Sequence, residues 1–241
     1  MLIAILIFSA VLLCISIFVN EKNGKVLISG YNTMSEEKRQ NFRYASYVKY
    51  YKKFHLVLGI SVLIISLLIY FFVGSDWSII GMVSYSILAY TFFLWKSKQF
   101  YITITKKQNI TTYISMVCML LLMGFLLYEF TSTLKDNVFK IGNKKIEILG
   151  DYGCTINIHS IKSITLEYEL PEIDAKIEGA ALENIKKGLF TTKNHENVRL
   201  LLNSTKKPII LLVTKDNQKI YYSSKEKSNI AIYKAVIQKI K

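Results

Sequence analysis

Hydrophobic positions divide the chain into two textures. Four stretches, about 1–19, 55–73, 77–95 and 112–130, run almost unbroken through large apolar and small residues and carry no central charge. Each is about 19 residues long, near the roughly 20 that a helix needs to cross a hydrocarbon core. A charge at a helix centre costs roughly 2.5–3.5 kcal/mol, against about 0.3–0.6 gained per large apolar residue, so its absence from all four is informative. The pattern predicts a membrane all-α four-helix bundle over 1–130. Its first span is expected to stay uncleaved, since no positive start and no small-residue cleavage site precede Asn20-Glu21-Lys22.

Beyond Phe130 the period changes. A polar linker, 131–137, leads into apolar and polar residues that alternate: Ile146 with Ile148; Cys154, Ile156 and Ile158; Ile164, Leu166, Tyr168 and Leu170; Val198, Leu200 and Leu202. Turns are expected at Gly142-Asn143, Asp151-Tyr152-Gly153, Asn203-Ser204 and Lys215-Asp216-Asn217. At the end, Ile230, Tyr233, Val236, Ile237 and Ile240 recur at helical spacing after a Ser223-x-x-Glu226 capping box. Six or seven antiparallel strands closed by a terminal helix make an α+β domain over 138–241.

Charge orients the spans. Of 31 Lys and Arg against 17 Asp and Glu in 241 residues, the first half's bases cluster in two loops, 20–54 and 96–111, while the 74–76 turn has none. Four spans put both basic loops on one face, which the positive-inside rule makes cytoplasmic. The amino terminus and the carboxy-terminal domain are then extracytoplasmic. That placement also argues against nucleic acid as a partner, because the basic surplus is explained by orientation.

Within the first loop, Thr33-x-x-Glu36 fits a capping box, predicting a helix from Met34 or Ser35. Tyr44, Tyr47, Val48 and Tyr51 follow at helical spacing among Arg43, Lys49, Lys52 and Lys53. Two readings stand: these four bases meet anionic lipid headgroups of the bilayer, or they are solvated lysines on a helix packed against the bundle.

Two resemblances follow. The run Gly30, Tyr31, Asn32, Thr33, Met34, Ser35, then Glu37 and Lys38, with the apolar pairs around it, resembles a bacterial family of small membrane proteins known as domain of unknown function 3784, over roughly Met1 to Lys98. It implies a cell-membrane location and no catalytic residue. Lys145 to Gly150, Tyr152-Gly153, Leu170-Pro171, Gly179, Lys187-Gly188-Leu189-Phe190 and the strands from Val198 and Pro208 resemble a bacterial pleckstrin-homology-like domain. That implies a sandwich or barrel with a terminal helix, used for binding or scaffolding.

Candidate chemistry is sparse. His55, His159 and His195 lack metal-ligand partners at helical or hairpin spacing and are expected at surfaces or interfaces, and the three cysteines form no metal or redox spacing. Glu167, Glu169, Glu172 and Asp174 cluster around Pro171 as a solvated edge or a cation or partner contact. No catalytic, cofactor or metal site is expected. The expected function is a non-enzymatic, multi-pass membrane protein whose extracytoplasmic domain binds a partner protein or envelope ligand. The alternative is a small transporter or toxin-immunity protein acting through the bundle, with Ser84, Ser86, Thr91 and Ser115 as its sensitive positions.

Overall fold

The computed structural model describes residues 1–240; Lys241 and the side chain of Ile240 lie outside the described residues. The chain forms two compact units, Met1–Tyr128 and Glu129–Lys241.

The first unit is helical. Helix α1 (Leu2–Phe18) is followed by three short helices, α2 (Gly24–Leu27), α3 (Ser29–Asn32) and α4 (Glu36–Gln40), then by α5 (Tyr44–Phe72), α6 (Ser75–Ser97) and α7 (Lys106–Leu134). Helices α5, α6 (continued to Phe100) and α7 are each long and apolar enough to cross a membrane; α1, at 17 residues, is shorter. The first span of the expected four is therefore about 26 Å of helix at 1.5 Å per residue, slightly less than a roughly 30 Å core. Helices α1, α5 and α6 pack in that order around Leu12, Leu58 and Val62. Gly59 permits the contact, since a Cβ there would meet the Leu13 side chain at 2.9 Å.

Helix α7 buries no residue, so the packed bundle has three helices and not the four expected. Its apolar residues point to all sides, leaving no single stripe to dock on α6.

Neither expected capping box forms. The Thr33 hydroxyl donates back to the Ser29 carbonyl, and α4 begins after Ser35 without a side-chain cap. Ser223 is buried at the end of a strand, where its hydroxyl donates to the Ser204 carbonyl, so the last helix, α8 (Asn229–Ile240), starts six residues later. Its inward face is Ile232 and Val236, with Tyr233 and Ile237 beside them; Ile230 points outward. A box does form at Thr105-x-x-Gln108, where the two residues cap each other across the start of α7.

Among the described residues the second unit has nine strands, not six or seven. They are β1 (Val138–Ile141), β2 (Lys145–Leu149), β3 (Cys154–Asn157), β4 (Ile161–Glu167), β5 (Ile173–Ala181), β6 (Lys186–Thr192), β7 (Asn197–Leu202), β8 (Ile209–Thr214) and β9 (Lys219–Ser223). The extra strands give a weaker signal than the others: β1 is only four residues long, and β5 is exposed along most of its length. β1, β2 and β3 form a meander, and the rest a six-stranded sheet in the order β4-β8-β9-β7-β6-β5. One pair, β7 with β9, is parallel, because the β8–β9 hairpin inserts β9 between β7 and β8.

Strand order alone shows that the larger sheet coils. β4 and β5 are its two edges, yet only residues 168–172 join them. Flat, the edges would stand about 24 Å apart at ~4.8 Å per strand, whereas six residue steps reach at most about 20–22 Å. Register shifts within β4 and β5 supply the bend. The linker packs on one face of the sheet, where Leu170 and Ile173 meet Phe190, Val198, Leu200 and Tyr221. Tyr168, expected inside with Ile164 and Leu166, lies beyond the end of β4 and is exposed. The opposite face carries the main core: Ile146, Ile148 and Ile156 of the small sheet and Ile232 and Val236 of α8 close on Leu201, Ile210, Leu212 and Ile220.

The segment read as a linker, 131–137, is held tightly within this unit. Helix α7 continues to Leu134, the Ser132 hydroxyl donates to the Asp151 carboxylate, and the Lys187 ammonium donates to the Lys135 carbonyl. The Asn137 N–H donates to Asn203 Oδ1 at 3.0 Å, and the Tyr222 hydroxyl to the Asn137 carbonyl at 2.7 Å. Asn137 and Lys187 are both buried, so these bonds form in a medium where leaving either partner unmet costs about 1–3 kcal/mol.

Two outcomes follow. Gly179 and Gly188 face each other across β5 and β6 with φ of 127° and 132°, and a Cβ on either would collide with the opposite strand's backbone, at the Lys187 carbonyl or the Glu178 carbonyl. Gly188→Ala is expected to destabilise the sheet unit by about 2–4 kcal/mol in urea unfolding followed by circular dichroism. A change below about 0.5 kcal/mol, the usual range for a surface site, would contradict the collision.

The second concerns Lys187. Burial pushes its ammonium below the ordinary lysine value, opposed in part by the Asp151 and Asp136 carboxylates. Between that lowered folded value and the unfolded value near 10.4, the folded state binds fewer protons than the unfolded, so stability rises with pH across that window. Tyr222, pushed up to about 12 by burial, acts in the opposite sense only above the ordinary tyrosine value. Lys187→Met is expected to flatten the rise in urea midpoint on the approach to pH ~10; an unchanged slope would show that Lys187 does not carry it.

Candidate functional site

At one end of the helical unit the two basic loops are bound to each other. Phe42 and Tyr101 form an isolated antiparallel bridge, the Arg43 N–H donates to the Phe100 carbonyl at 2.8 Å, and the Ile102 N–H donates to the Asn41 carbonyl at 3.0 Å. The Asn41 side chain completes the join, donating to the Thr103 carbonyl at 2.6 Å and accepting from the Thr103 N–H at 2.9 Å.

Beneath this join lies an aromatic core. Tyr31, Phe42, Val48 and Phe100 are buried, and Tyr44, Tyr47, Tyr50 and Tyr51 pack against them. Phe42 meets Tyr47 and Tyr101 edge-on, with centroids 5.0 Å and 4.9 Å away, and Tyr50 stacks on Phe93 at 5.4 Å. Such pairs contribute about 0.5–1.5 kcal/mol each beyond area burial. The tyrosines expected on a headgroup-facing surface are thus turned inward. The lysines that alternate with them point the other way: Lys49 and Lys53 are exposed and Lys52 half-buried. Arg43, also exposed, lies at the break before α5, where its N–H holds the loop join.

His55, expected at an interface, is 1% exposed and continues the aromatic core. Nδ1 lies 2.8 Å from the Tyr51 carbonyl, so it carries the proton, and Nε2 accepts from the Tyr90 hydroxyl at 3.0 Å. Both ring nitrogens are satisfied, which makes the histidine a structural strut. Its immediate neighbours, Phe54 and Leu56, give no hint of a hydroxyl arriving from 35 residues away.

The motif residues line two clefts around the join. Gly30, Thr33, Met34, Glu37 and Lys38 line the first, of about 690 Å³, opposite Thr103, Thr105, Lys107 and Gln108. Gly30, Met34 and Tyr101 are shared with an adjoining, aromatic chamber of about 210 Å³ that adds Tyr47, Phe93 and Ser115. Tyr31 and Asn32 border a separate cleft with Lys25 and Arg39, and the Arg39 guanidinium both pairs with Glu36 at 2.8 Å and lies 5.5 Å from the Tyr31 ring centroid. Ser35 is exposed ahead of α4. The opposite walls of the main cleft were missed in the sequence because they come from the second basic loop, some 70 residues on. The Thr105-x-x-Gln108 box was the signal that could have placed them at the head of a helix.

The span hydroxyls face their own helices: Ser86 donates to the Met82 carbonyl, Thr91 to Ile87 and Ser115 to Thr111, while Ser84 is half-buried. Between helices, Ser78 donates to the Ser66 carbonyl and Tyr85 to the Ser61 hydroxyl.

In the sheet unit a cleft of about 450 Å³ opens at one end of the coiled sheet. Leu170, Leu202 and Ile209 form its apolar floor, and Glu169, Glu183, Lys186 and Lys207 its charged rim. The four carboxylates around Pro171 disperse: Glu169 joins this rim, Glu172 pairs with Lys193 at 2.8 Å, Glu167 accepts from Thr165, and Asp174 is exposed. His159 and His195 are exposed on separate loops. Among the described residues, Cys14, Cys118 and Cys154 are free, and no three of His, Cys, Asp and Glu come together to hold a metal ion.

No curated protein and no solved structure matches the chain. Residues 6–101, which include the motif and both joined loops up to Tyr101, match the family model described as domain of unknown function (DUF3784).

Proposed function

We propose that this chain is a membrane-anchored binding protein whose helices hold a pleckstrin-homology-like domain at the outer face of a bacterial cell membrane, where it takes a partner protein or envelope ligand. The observation that carries the reading is the cleft at the end of the coiled sheet. It joins an apolar floor to a rim of both charge signs, the combination by which recognition sites gain affinity from one part and orientation from the other. The support for pleckstrin-homology character is the plan of a small sheet and a coiled sheet closed by α8.

Orientation rests on the basic loops. Held together at one end of the bundle, they present Arg43, Lys49, Lys52 and Lys53 to the cytoplasmic headgroups, where each base near an anionic surface contributes about 1 kcal/mol. Helix α1 crosses with α5 and α6, its shortfall met by local thinning. Helix α7, starting at the basic end and crossing once, delivers the sheet domain to the other side.

A photo-crosslinking residue at Thr205, in the cleft, is expected to give a discrete adduct in intact cells that is lost when Lys186→Glu and Lys207→Glu reverse the rim. The same residue at Asp216, on the exposed β8–β9 turn, is expected to give none. Equal adducts at both positions, or none at Thr205, would contradict a ligand in this cleft.

A further inference from the structure

The main motif cleft and the chamber beneath it form one amphipathic crevice. They share Gly30, Met34, Tyr101, Thr111 and Thr112, so the polar mouth adjoins the aromatic interior. At the mouth stand Lys38 and Lys107 with a single carboxylate, Glu37. Lys98 borders the interior, its ammonium 2.8 Å from Asn109 Oδ1 and 4.1 Å from the centroid of the Tyr113 ring. Among the described residues, none of these three lysines joins an ion pair with a carboxylate. The crevice therefore concentrates positive charge that the protein does not itself neutralise.

The hydroxyls narrow the choice of ligand. Thr33, Thr111, Thr112 and Ser115 already donate their protons to carbonyls of their own helices, so the lysine ammoniums are the strong donors left for an incoming group. Cationic donors without a fixed hydroxyl cage suit a diffuse, mobile anion such as a phosphodiester. Below them Phe93, Leu94 and Tyr47 offer an apolar wall that a free inorganic anion cannot use. The wall continues onto α7, whose span is 0% buried and whose Leu122, two turns beyond Ser115 on the same face, is exposed.

We infer that this crevice binds one anionic glycerophospholipid of the bilayer, its phosphodiester between Lys38 and Lys107 and an acyl chain lying along the inner chamber against α7. The charge surplus selects the headgroup, and the continuity into aromatic and apolar surface selects an amphiphile over a soluble phosphate. This gives six of the eight motif residues, Gly30, Tyr31, Thr33, Met34, Glu37 and Lys38, a shared location and a ligand. It is independent of the sheet-domain cleft and of the general surface attraction of Arg43, Lys49, Lys52 and Lys53.

The test uses the full-length chain in a neutral detergent, with native mass spectrometry after addition of equimolar phosphatidylglycerol and phosphatidylcholine. One phosphatidylglycerol is expected to remain bound in preference to phosphatidylcholine. The Lys38→Gln, Lys107→Gln double variant is expected to lose occupancy about tenfold or more, whereas Lys140→Gln, Lys144→Gln in the sheet unit leaves it unchanged. Thr112→Phe, which fills the inner chamber with all lysines intact, is expected to lose the lipid too and guards against misfolding of the double variant. Equal retention of the two lipids, undiminished binding by the double variant and by Thr112→Phe, or displacement of the lipid by millimolar inorganic phosphate would each overturn the inference.

Discussion

The bond between the two basic loops is the constraint on which the helical unit depends. Asn41 and Thr103, Phe42 and Tyr101, and Arg43 and Phe100 are far apart in sequence, and their pairing fixes which ends of α1, α5 and α6 lie together. Helix α5 is able to begin at Tyr44, a full three turns before its apolar run, because the tyrosines of those turns are enclosed by the joined loops and by Phe93 and Phe100. The same join makes the motif cleft, whose two walls belong to different loops. It also sets the start of α7, capped at Thr105 and Gln108. Helix α7 owes its position at that end to this cap and to Lys98, since it buries nothing along its length.

The sheet unit solves a different problem. Its core is divided between two faces of one coiled sheet, so alternate residues of β7, β8 and β9 serve opposite clusters: Leu200 and Leu201, Ile209 and Ile210, Tyr221 and Tyr222. Coiling leaves an open end, where a charged rim surrounds the apolar floor of Leu170, Leu202 and Ile209. The entry of the chain into this unit is locked by buried polar bonds at Lys135 and Asn137. Burying an ammonium costs far more than burying an apolar side chain unless it is bonded, so this entry specifies one geometry more than it adds stability.

Much of this was legible in the sequence where one physical signal dominates. Continuous apolar runs marked the long helices, and strict alternation marked Ile146 with Ile148 and Val198 with Leu200 and Leu202, all of which are buried. What failed were features that depend on a second, distant segment. Thr33 and Ser223 had the right residue three positions on, but each hydroxyl found a carbonyl to bond, Ser29 or Ser204, and the helix started elsewhere. Tyr44, Tyr47 and Tyr51 were placed correctly on one helix face, yet only the arrival of Phe100 and Tyr101 decides that this face is core. His55 was taken for an interfacial group because its partner, Tyr90, lies on the next span. The parallel β7–β9 pair and the exposed β5 carry no local signature, since pairing order is a property of the whole sheet. The motif was visible as a string, but not as the wall of a cleft.

The central claim is that the joined basic loops and the sheet domain lie on opposite sides of the membrane. It is tested by the reaction of single cysteines with a membrane-impermeant thiol reagent in intact cells, in a background lacking Cys14, Cys118 and Cys154. Ser35→Cys reports the loop and Asn194→Cys the sheet domain, both at exposed positions. The account predicts labelling of Asn194→Cys in intact cells and of Ser35→Cys only after the membrane is opened. Labelling of Ser35→Cys in intact cells with Asn194→Cys protected would contradict it, and would turn the sheet-domain cleft toward cytoplasmic partners.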